Sequence, residues 1–499
     1  MNVRHDLFID GRWRAANSRE RIVVTSPSTE AAFGQVPDAD ASDLDTAVAA
    51  ARRAFDQGPW PTLPTAERAA FIERALALLE PRLGEIAELV TAQMGLPASI
   101  SMKKAPAGLW VGRYFLELAR QDALCDIRQT RWGPAAVLRE PVGVVAAITP
   151  WNSPFNMAIA KIVPALVSGC TVVFKPAPET PLDIYLVAEA FREAGLPPGV
   201  FNLVTGGRET GRALVAHRGI DKVSFTGSTA AGREIARTAG ANFARLQLEL
   251  GGKSAAIIAE DADRDTVLRG IVEGTFSNTG QLCSAFTRIL VPASRYAQWL
   301  DVVVGAAESF VVGDPYEPAT MMGPLASRAQ RDRVLGYIET GRQEGATVAT
   351  GGGVPADLGT GFYVQPTVFS NASNAMRVSR EEIFGPVAVV LPYDTLDQAV
   401  TIANDTEYGL HGGVFTEDPQ TAARVARSVR AGTFSINAFA HNVQAPFGGV
   451  KGSGVGRELG LEGLHAFHEL KTVNLTASTA ALFAAEATDA QVRAPRVDA

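Results

Sequence analysis

Cys283 and Glu249 stand 34 residues apart, in "GQLCS" and "LELGGKS". A thiolate attacks carbonyl carbon readily, and a carboxylate raised in pKa by partial burial can serve as general base. Cys283 follows a helical pattern in a glycine-containing connection, where a thiol is reachable. Read alone, it fits a buried core thiol better, since free cysteine is among the most buried residue types. Cys125 and Cys170 read as structural. Asn152, in "TPWNSPF", lies just beyond a strand, where its amide could donate to a developing oxyanion or simply close an Asx turn. Lys175 ends the strand "TVVFK" and could bond a ribose or a phosphate, or simply be solvated. The turn "GSTAAGRE" brings Gly227, Ser228 and Gly232 to the start of a helix, a place where backbone N–H groups bind phosphate. It lacks the Gly-x-Gly-x-x-Gly spacing and also suits an ordinary strand-to-helix turn. In "EEIFGP", Glu382 could hold a ribose and Phe384 could wall a flat ring; the alternative is a helix end followed by Gly-Pro.

These residues need a scaffold. "FIDGRW" sets Asp10-Gly11 between apolar residues, a two-residue hairpin signal. Residues 41–120 show helical spacing. From Gly143, strands "GVVAAIT", "TVVFK", "VFNLVT", "KVSFT" and "RLQLEL" alternate with helices, one of them over "NMAIAKIVPALVSG" with a bend expected at Pro164. Another is expected to start with Thr180 as N-cap, Pro181 first and Asp183 three after the cap, and to stop at Gly195 and Pro197-Pro198. Further helices are expected near 207–217 and 229–239. Such alternation implies right-handed crossovers and a parallel sheet. A second alternating stretch follows Gly251: a helix near 264–277, the strand "RILV", then "GGVF", a helix over Thr421–Arg430, and "TFSIN". The alanine-rich end reads as a poorly ordered tail.

Bulk properties exclude several classes. The chain has 499 residues, 46% hydrophobic and 20% charged, with net charge −7. An acidic chain without a basic stripe disfavours a nucleic-acid partner. No apolar run is long enough for a membrane span, and charges near the start disfavour a secretory signal. Three cysteines give no disulfide framework and fit a reducing cytoplasm, and no Cys/His pair has zinc spacing, so no metal is expected.

In order, "TPWNSP", "FKPAPETP", "FTGSTAAG", "LELGGKS", "GQLCS", "EEIFGP" and "PFGGVKGSGVGRELG" resemble the aldehyde dehydrogenase superfamily, from about "FIDGRW" to "ELKTVNL". The resemblance implies an α/β fold with a Rossmann-like parallel-sheet cofactor domain (1–121 and 142–251) and an α/β catalytic domain (252–452). It also implies a small β oligomerisation arm with a return segment (122–141 and 453–477, with arm strands at about 122–141 and 468–477), leaving 478–499 as tail. It implies NAD(P)-dependent oxidation of an aldehyde to the acid. Cys283 would form a thiohemiacetal and then a thioester, Asn152 and the Cys283 N–H would hold the oxyanion, and Glu249 would activate water. Lys161 and Glu458 match positions tied to proton movement and support of the site. The cofactor would meet Thr149, Pro150, Trp151, Lys175, Ala177, Pro178, Glu179, Gly211, Phe225, Thr226, Gly227, Ser228, Leu250, Gly251, Glu382 and Phe384. NAD is favoured, yet Pro178 stands where many NAD-preferring relatives carry glutamate, which leaves NADP open. Ser153, Met157, Ala160, Phe286, Phe439 and Phe447 would line a pocket for a hydrophobic aliphatic, aromatic or terpenoid aldehyde. A homodimer or homotetramer in the cytoplasm is implied. The alternatives are a coenzyme A-dependent acylating semialdehyde dehydrogenase, which commonly lacks the Glu249 carboxylate; a cysteine hydrolase, which normally pairs its cysteine with histidine; and a non-catalytic protein of the same fold.

Overall fold

Val144–Ile148, Thr171–Lys175 and Lys222–Thr226 are buried along their whole length, as a parallel sheet covered on both faces requires. In the computed structural model, which describes residues 2–483, they lie in an eight-stranded sheet. Its order is Gly454–Val455, Arg245–Glu249, Lys222–Thr226, Val144–Ile148, Thr171–Lys175, Phe201–Leu203, Asp6–Ile9, Arg12–Ala15. The five middle strands are parallel and the flanks antiparallel. Chain order runs outward from Val144–Ile148 to Phe201–Leu203, then resumes on the other side with Lys222–Thr226. Adjacent strands whose connections leave in opposite directions open a crevice beyond their carboxyl ends. The Asp10-Gly11 hairpin is present: Ile9 pairs with Arg12, and both turn residues have positive φ.

Helices Ala41–Asp56, Thr65–Leu79, Leu83–Met94 and Ala98–Gln121 form the helical stretch expected before the sheet. Pro154–Val167 carries Pro164 inside it. The helix expected to be capped by Thr180 begins instead at Asp183, with Leu182 in the cap position and no capping side chain. Thr180 and Asp183 face the interior, fully buried, and the Leu182 N–H donates to Gln93 Oε1 at 2.9 Å. A side chain from a neighbouring helix thus satisfies the end that a local cap was expected to satisfy.

A seven-stranded sheet follows, in the order Thr347–Thr350, Thr367–Ser370, Val387–Tyr393, Phe286–Pro292, Ser254–Ile258, Gly412–Phe415, Ser435–Ile436. It is parallel except for its first strand. Only residues 250–253 separate Glu249, at the carboxyl end of the first sheet, from Ser254, at the amino end of the second. Ser254 pairs with Phe286, so the residues entering Phe286–Pro292, Cys283 among them, face the crevice of the first sheet. A third, antiparallel sheet joins Cys125–Thr130, Gly133–Pro141 and His468–Asn474. Of the expected tail, 478–483 continue a helical segment from 477, and the rest lies outside the described residues. No helix among the described residues is long and apolar enough to cross a membrane.

Candidate active site

Two cavities meet beyond the carboxyl ends of Val144–Ile148 and Lys222–Thr226. The larger, about 410 Å³, is lined by Thr149, Pro150, Trp151, Lys175, Ala177, Pro178, Glu179, Gly211, Phe225, Thr226, Gly227 and Ser228. Val215 and Ile235 add an apolar slot between helices Arg208–Ala216 and Thr229–Gly240. The smaller, about 220 Å³, shares Pro150, Trp151, Thr226, Gly227 and Ser228 with it and continues to Asn152, Met157, Leu250, Cys283, Glu382 and Phe384. Residues far apart in sequence therefore line one continuous cleft.

The larger cavity has the parts a dinucleotide requires. Ser228 caps the helix Thr229–Gly240 by accepting from the Ala231 N–H at 3.2 Å, which leaves the positive helix end facing the cavity. Lys175 is buried with 4% exposure, and its Nζ donates to Pro176 O at 2.9 Å. Burial pulls the amine down to about 8, partly opposed by Glu179 and Asp38. The apolar slot, the cation and the helix end suit a purine, its ribose and a pyrophosphate respectively.

At the far end, Glu382 Oε1 accepts from the Gly252 N–H at 3.1 Å, and burial pushes its carboxyl up to about 7. Phe384 holds φ of +61°, uncommon for a bulky residue. Its carbonyl accepts from Gln330 Nε2 at 2.7 Å, and its ring meets Trp151 edge-on at 5.3 Å. Gln330 and Arg333 lie one turn apart on the helix Arg328–Gln343, and both line the smaller cavity. Neither stood out in the sequence, where they read as ordinary polar residues of an amphipathic helix.

The segment before Cys283 is strained. A π-helical turn, Val272–Phe276, precedes Asn278, Thr279 and Gly280, three consecutive residues in the left-handed region. For Asn278 and Thr279 that conformation costs ~1–2 kcal/mol each. At Gly280 a Cβ would come within 2.1 Å of Gly385 O, so only glycine fits. Side chains hold the turn: Asn278 Nδ2 donates to Asn152 O at 3.0 Å, and Thr279 Oγ1 to Gly323 O at 3.2 Å. Gln281 Oε1 accepts from the Ala326 N–H at 3.0 Å. Asn152, itself buried, donates from Nδ2 to Gln281 O at 2.8 Å, which ties its amide to the turn carrying the thiol. At Gly252 a Cβ would stand 2.2 Å from Cys283 O, so the segment that links the two sheets runs at backbone distance from the thiol-bearing residue.

Cys283 is half-buried. Shielding of its sulfur, then the Glu382 and Glu249 carboxylates, push the thiol up to about 12. Glu249 is 2% exposed, and neither carboxylate oxygen has a hydrogen-bond partner. Burial and then Glu458 hold it well above the ordinary carboxylate range, opposed by Lys161 and Arg457. Its Oε1 lies 2.5 Å from where a Cβ on Gly448 would stand, against the turn after Phe447. Lys161 is buried, pairs with Glu458, and reaches Ser224 Oγ at 3.3 Å. Glu458 and Phe447 exchange two backbone hydrogen bonds at 2.7 Å.

Around the expected substrate wall, Met157 lines the smaller cavity. Ser153 opens instead on a separate cavity of about 70 Å³, and Ala160 packs against the core. Phe286 is fully buried and backs Phe439 at 5.2 Å. Gly251 lies beneath the cleft, its carbonyl accepting from Ser453 Oγ at 2.6 Å. His441, which carried no motif in the sequence, sits between Phe439 and Phe447 at 4.9 and 5.4 Å and reaches Ser284. Only the folded loop makes that neighbourhood visible.

Three comparisons bear on this arrangement. The chain is 45% identical over 478 residues to geranial dehydrogenase of Castellaniella defragrans, covering 95% of this chain and 100% of that protein. It superimposes with TM-score 0.93 on an aldehyde dehydrogenase of Mycobacterium tuberculosis complexed with NAD+, at 45% identity over 95% of this chain and 99% of the other. Aldehyde dehydrogenase C of Pseudomonas syringae, a cysteine-to-alanine mutant complexed with NAD+ and octanal, matches with TM-score 0.91 at 41% identity, over 94% and 96% of the two chains. Residues 13–473, from the hairpin to the last strand of the third sheet, match the profile described as the aldehyde dehydrogenase family, and the chain belongs to that family.

Proposed function

We propose that this protein oxidises a hydrophobic aldehyde to the carboxylic acid with NAD+ by way of an acyl thioester on Cys283. The observation that carries the reading is the continuous cleft that leads from Lys175 and Ser228 past Glu382 and Phe384 to Cys283 and Asn152. The nicotinamide ring, when bound, supplies the hydride acceptor. Lys175, Ser228 and Glu382 bind and orient the dinucleotide, and Phe384 and Trp151 flank its reacting end.

In this mechanism the Cys283 sulfur adds to the aldehyde carbon, giving a tetrahedral thiohemiacetal whose oxyanion accepts from the Asn152 amide and the Cys283 N–H. A thiol raised to about 12 is not ionised at neutral pH, so a base must take its proton. Glu249, an unpartnered buried carboxylate, takes that role and later deprotonates the water that cleaves the thioester. Lys161 and Glu458 hold the charge balance behind it. A carboxylate in this position favours release of a free acid over transfer to coenzyme A. Among the described residues no histidine is hydrogen-bonded to Cys283, which weighs against a cysteine hydrolase.

The hydrophobic aldehyde is supported by the rings of Phe439, Phe447 and His441 and by the similar geranial dehydrogenase and octanal complex. Pro178 at the edge of the larger cavity leaves NADP as a second cofactor. We further read 1–121 with 142–251 as the cofactor domain, 252–452 as the catalytic domain, and the third sheet as an arm that joins copies in a homodimer or homotetramer. Three cysteines without disulfides suit the cytoplasm.

The test is to mix the purified protein with NAD+ and geranial or octanal, follow the absorbance of the reduced nicotinamide, and identify the product. Free acid formed without coenzyme A is expected. A requirement for coenzyme A, or no nucleotide reduction with any aldehyde, overturns the reading.

A further inference from the structure

The nucleophile's neighbour is tied to the loop that follows the edge strand Ser435–Ile436 of the second sheet. Ser284, 3% exposed, places its Oγ 3.1 Å from His441 Nε2. Among the described residues this is the only hydrogen bond between residues 437–447 and residues 277–285. The loop carries Phe439 and Phe447, whose rings meet His441 edge-on at 4.9 and 5.4 Å. His411 lies 5.3 Å from His441 and is itself fixed by Thr433 Oγ1 at 2.8 Å and Ser435 Oγ at 3.3 Å. Phe286, two residues beyond Ser284, backs both Phe439 and His411 from the core.

A phenyl ring at 441 would pack in this cluster without needing any polar partner. His441 is itself exposed and its ring needs no protein partner, whereas the buried Ser284 hydroxyl is left unpaired without this bond. We propose that His441 is a positioning residue: its bond to Ser284 pins the aromatic loop over Cys283 and so sets the preference for long apolar aldehydes over short ones. The inference rests on the reading of Cys283 as the aldehyde nucleophile. A wall held in place before the substrate arrives incurs no ordering cost at binding. A long chain gains from that wall, whereas a two-carbon aldehyde attached at Cys283 reaches little of it.

The experiment compares His441→Phe, Ser284→Ala, the double variant and His441→Gln, in which the amide nitrogen overlays Nε2. Kinetics are run with acetaldehyde and octanal at saturating NAD+, and hydrogen exchange of 437–447 is followed in the protein alone. The Phe and Ala variants are expected to raise KM for octanal and lower the octanal-to-acetaldehyde ratio of kcat/KM about fivefold, the scale of one lost hydrogen bond. The double variant should be no worse than the worse single variant, Gln should recover most of the ratio, and loop exchange should quicken in Phe and Ala alone. Additive losses, equal losses for both aldehydes, or a Gln variant no better than Phe overturn the proposal. So does unchanged loop exchange, which strikes the pin even where wild-type dehydrogenase activity stands. A wild-type protein inactive on every aldehyde overturns the nucleophile reading and the inference with it.

Discussion

At the scale of single residues, the site opposes ionisation of the thiol proposed as nucleophile before substrate arrives. Burial and the carboxylates of Glu382 and Glu249 all favour the neutral thiol of Cys283. Removing one of those negative charges lowers the thiol pKa, since like charge nearby disfavours the thiolate. Glu382→Gln can still accept from the Gly252 N–H, so its main effect on Cys283 is electrostatic. Alkylation of the cofactor-free protein by iodoacetamide at pH 8 is therefore expected to run several-fold faster in that variant, and an unchanged rate contradicts the assignment. Cys283→Ala is expected to abolish turnover while NAD+ still quenches protein fluorescence. Glu249→Gln is expected to form acyl-enzyme in a single burst and then stall by about 100-fold or more, the usual scale of a lost general base. Its burial sets the pH direction too. With the carboxyl held above its ordinary range, only the ionised fraction can deprotonate water, so steady-state rate rises as pH climbs through that raised range. A rate limited by deacylation that fell over that interval would exclude Glu249 as the base.

At the scale of elements, Asp183 shows how tertiary surroundings override a local signal. Burial pushes its carboxyl up to about 7, with a backbone N–H and the Gln93 amide lowering it only in part. A folded-state pKa above the unfolded value means that the native state holds the proton more tightly. The corresponding stability is present below pH 4 and is lost as pH rises through 7. A shift of about three units corresponds to ~4 kcal/mol at most. Asp183→Asn, which is neutral at every pH, is expected to raise Tm at pH 8 and to change it little at pH 5. An equal effect at both values would mean that the group is not protonated in the native state. The sequence pattern Thr180, Pro181, Asp183 reads as a cap because sequence periodicity cannot show Gln93 approaching from another helix. The same limit separates what was legible in the site from what was not. Lys175, Ser228, Glu249 and Cys283 all sit at or near strand ends, where alternation of strand and helix already marks a crevice. Gln330, Arg333 and His441 enter through contacts of 49 to 157 residues' separation, and no local pattern announces them. Phe286 has the right residue type for a pocket wall, but burial on both faces of its strand makes it core. The left-handed run Asn278 to Gly280 is likewise invisible in composition, although Gly280 alone hints at it.

At the scale of the whole molecule, two sheets meet end to end through residues 250–253, and the third stands apart as an antiparallel arm. That arm has two open edges, Cys125–Thr130 and His468–Asn474, each flanking Gly133–Pro141. An open edge with exposed apolar side chains invites pairing with another chain unless something covers it. Here Leu470, on one edge strand, is 67% exposed, and Trp132, at the hairpin between the other two strands, is 82% exposed. Within the protomer the Arg131 guanidinium lies 3.9 Å from the Trp132 ring, and Leu470 stays open to solvent. A second copy related by a two-fold axis would cover the same patch on both partners and close the edge, which an open-ended contact would not. Light scattering at micromolar concentration is therefore expected to give two or four times the protomer mass. Leu470→Glu together with Trp132→Glu places carboxylates where apolar contact is needed, at positions whose burial in the protomer is slight, so the fold should persist. That double variant is expected to shift to lower mass with its circular dichroism intact. A wild-type monomer, or a double variant of unchanged mass, would assign the arm some other purpose than joining copies of the chain.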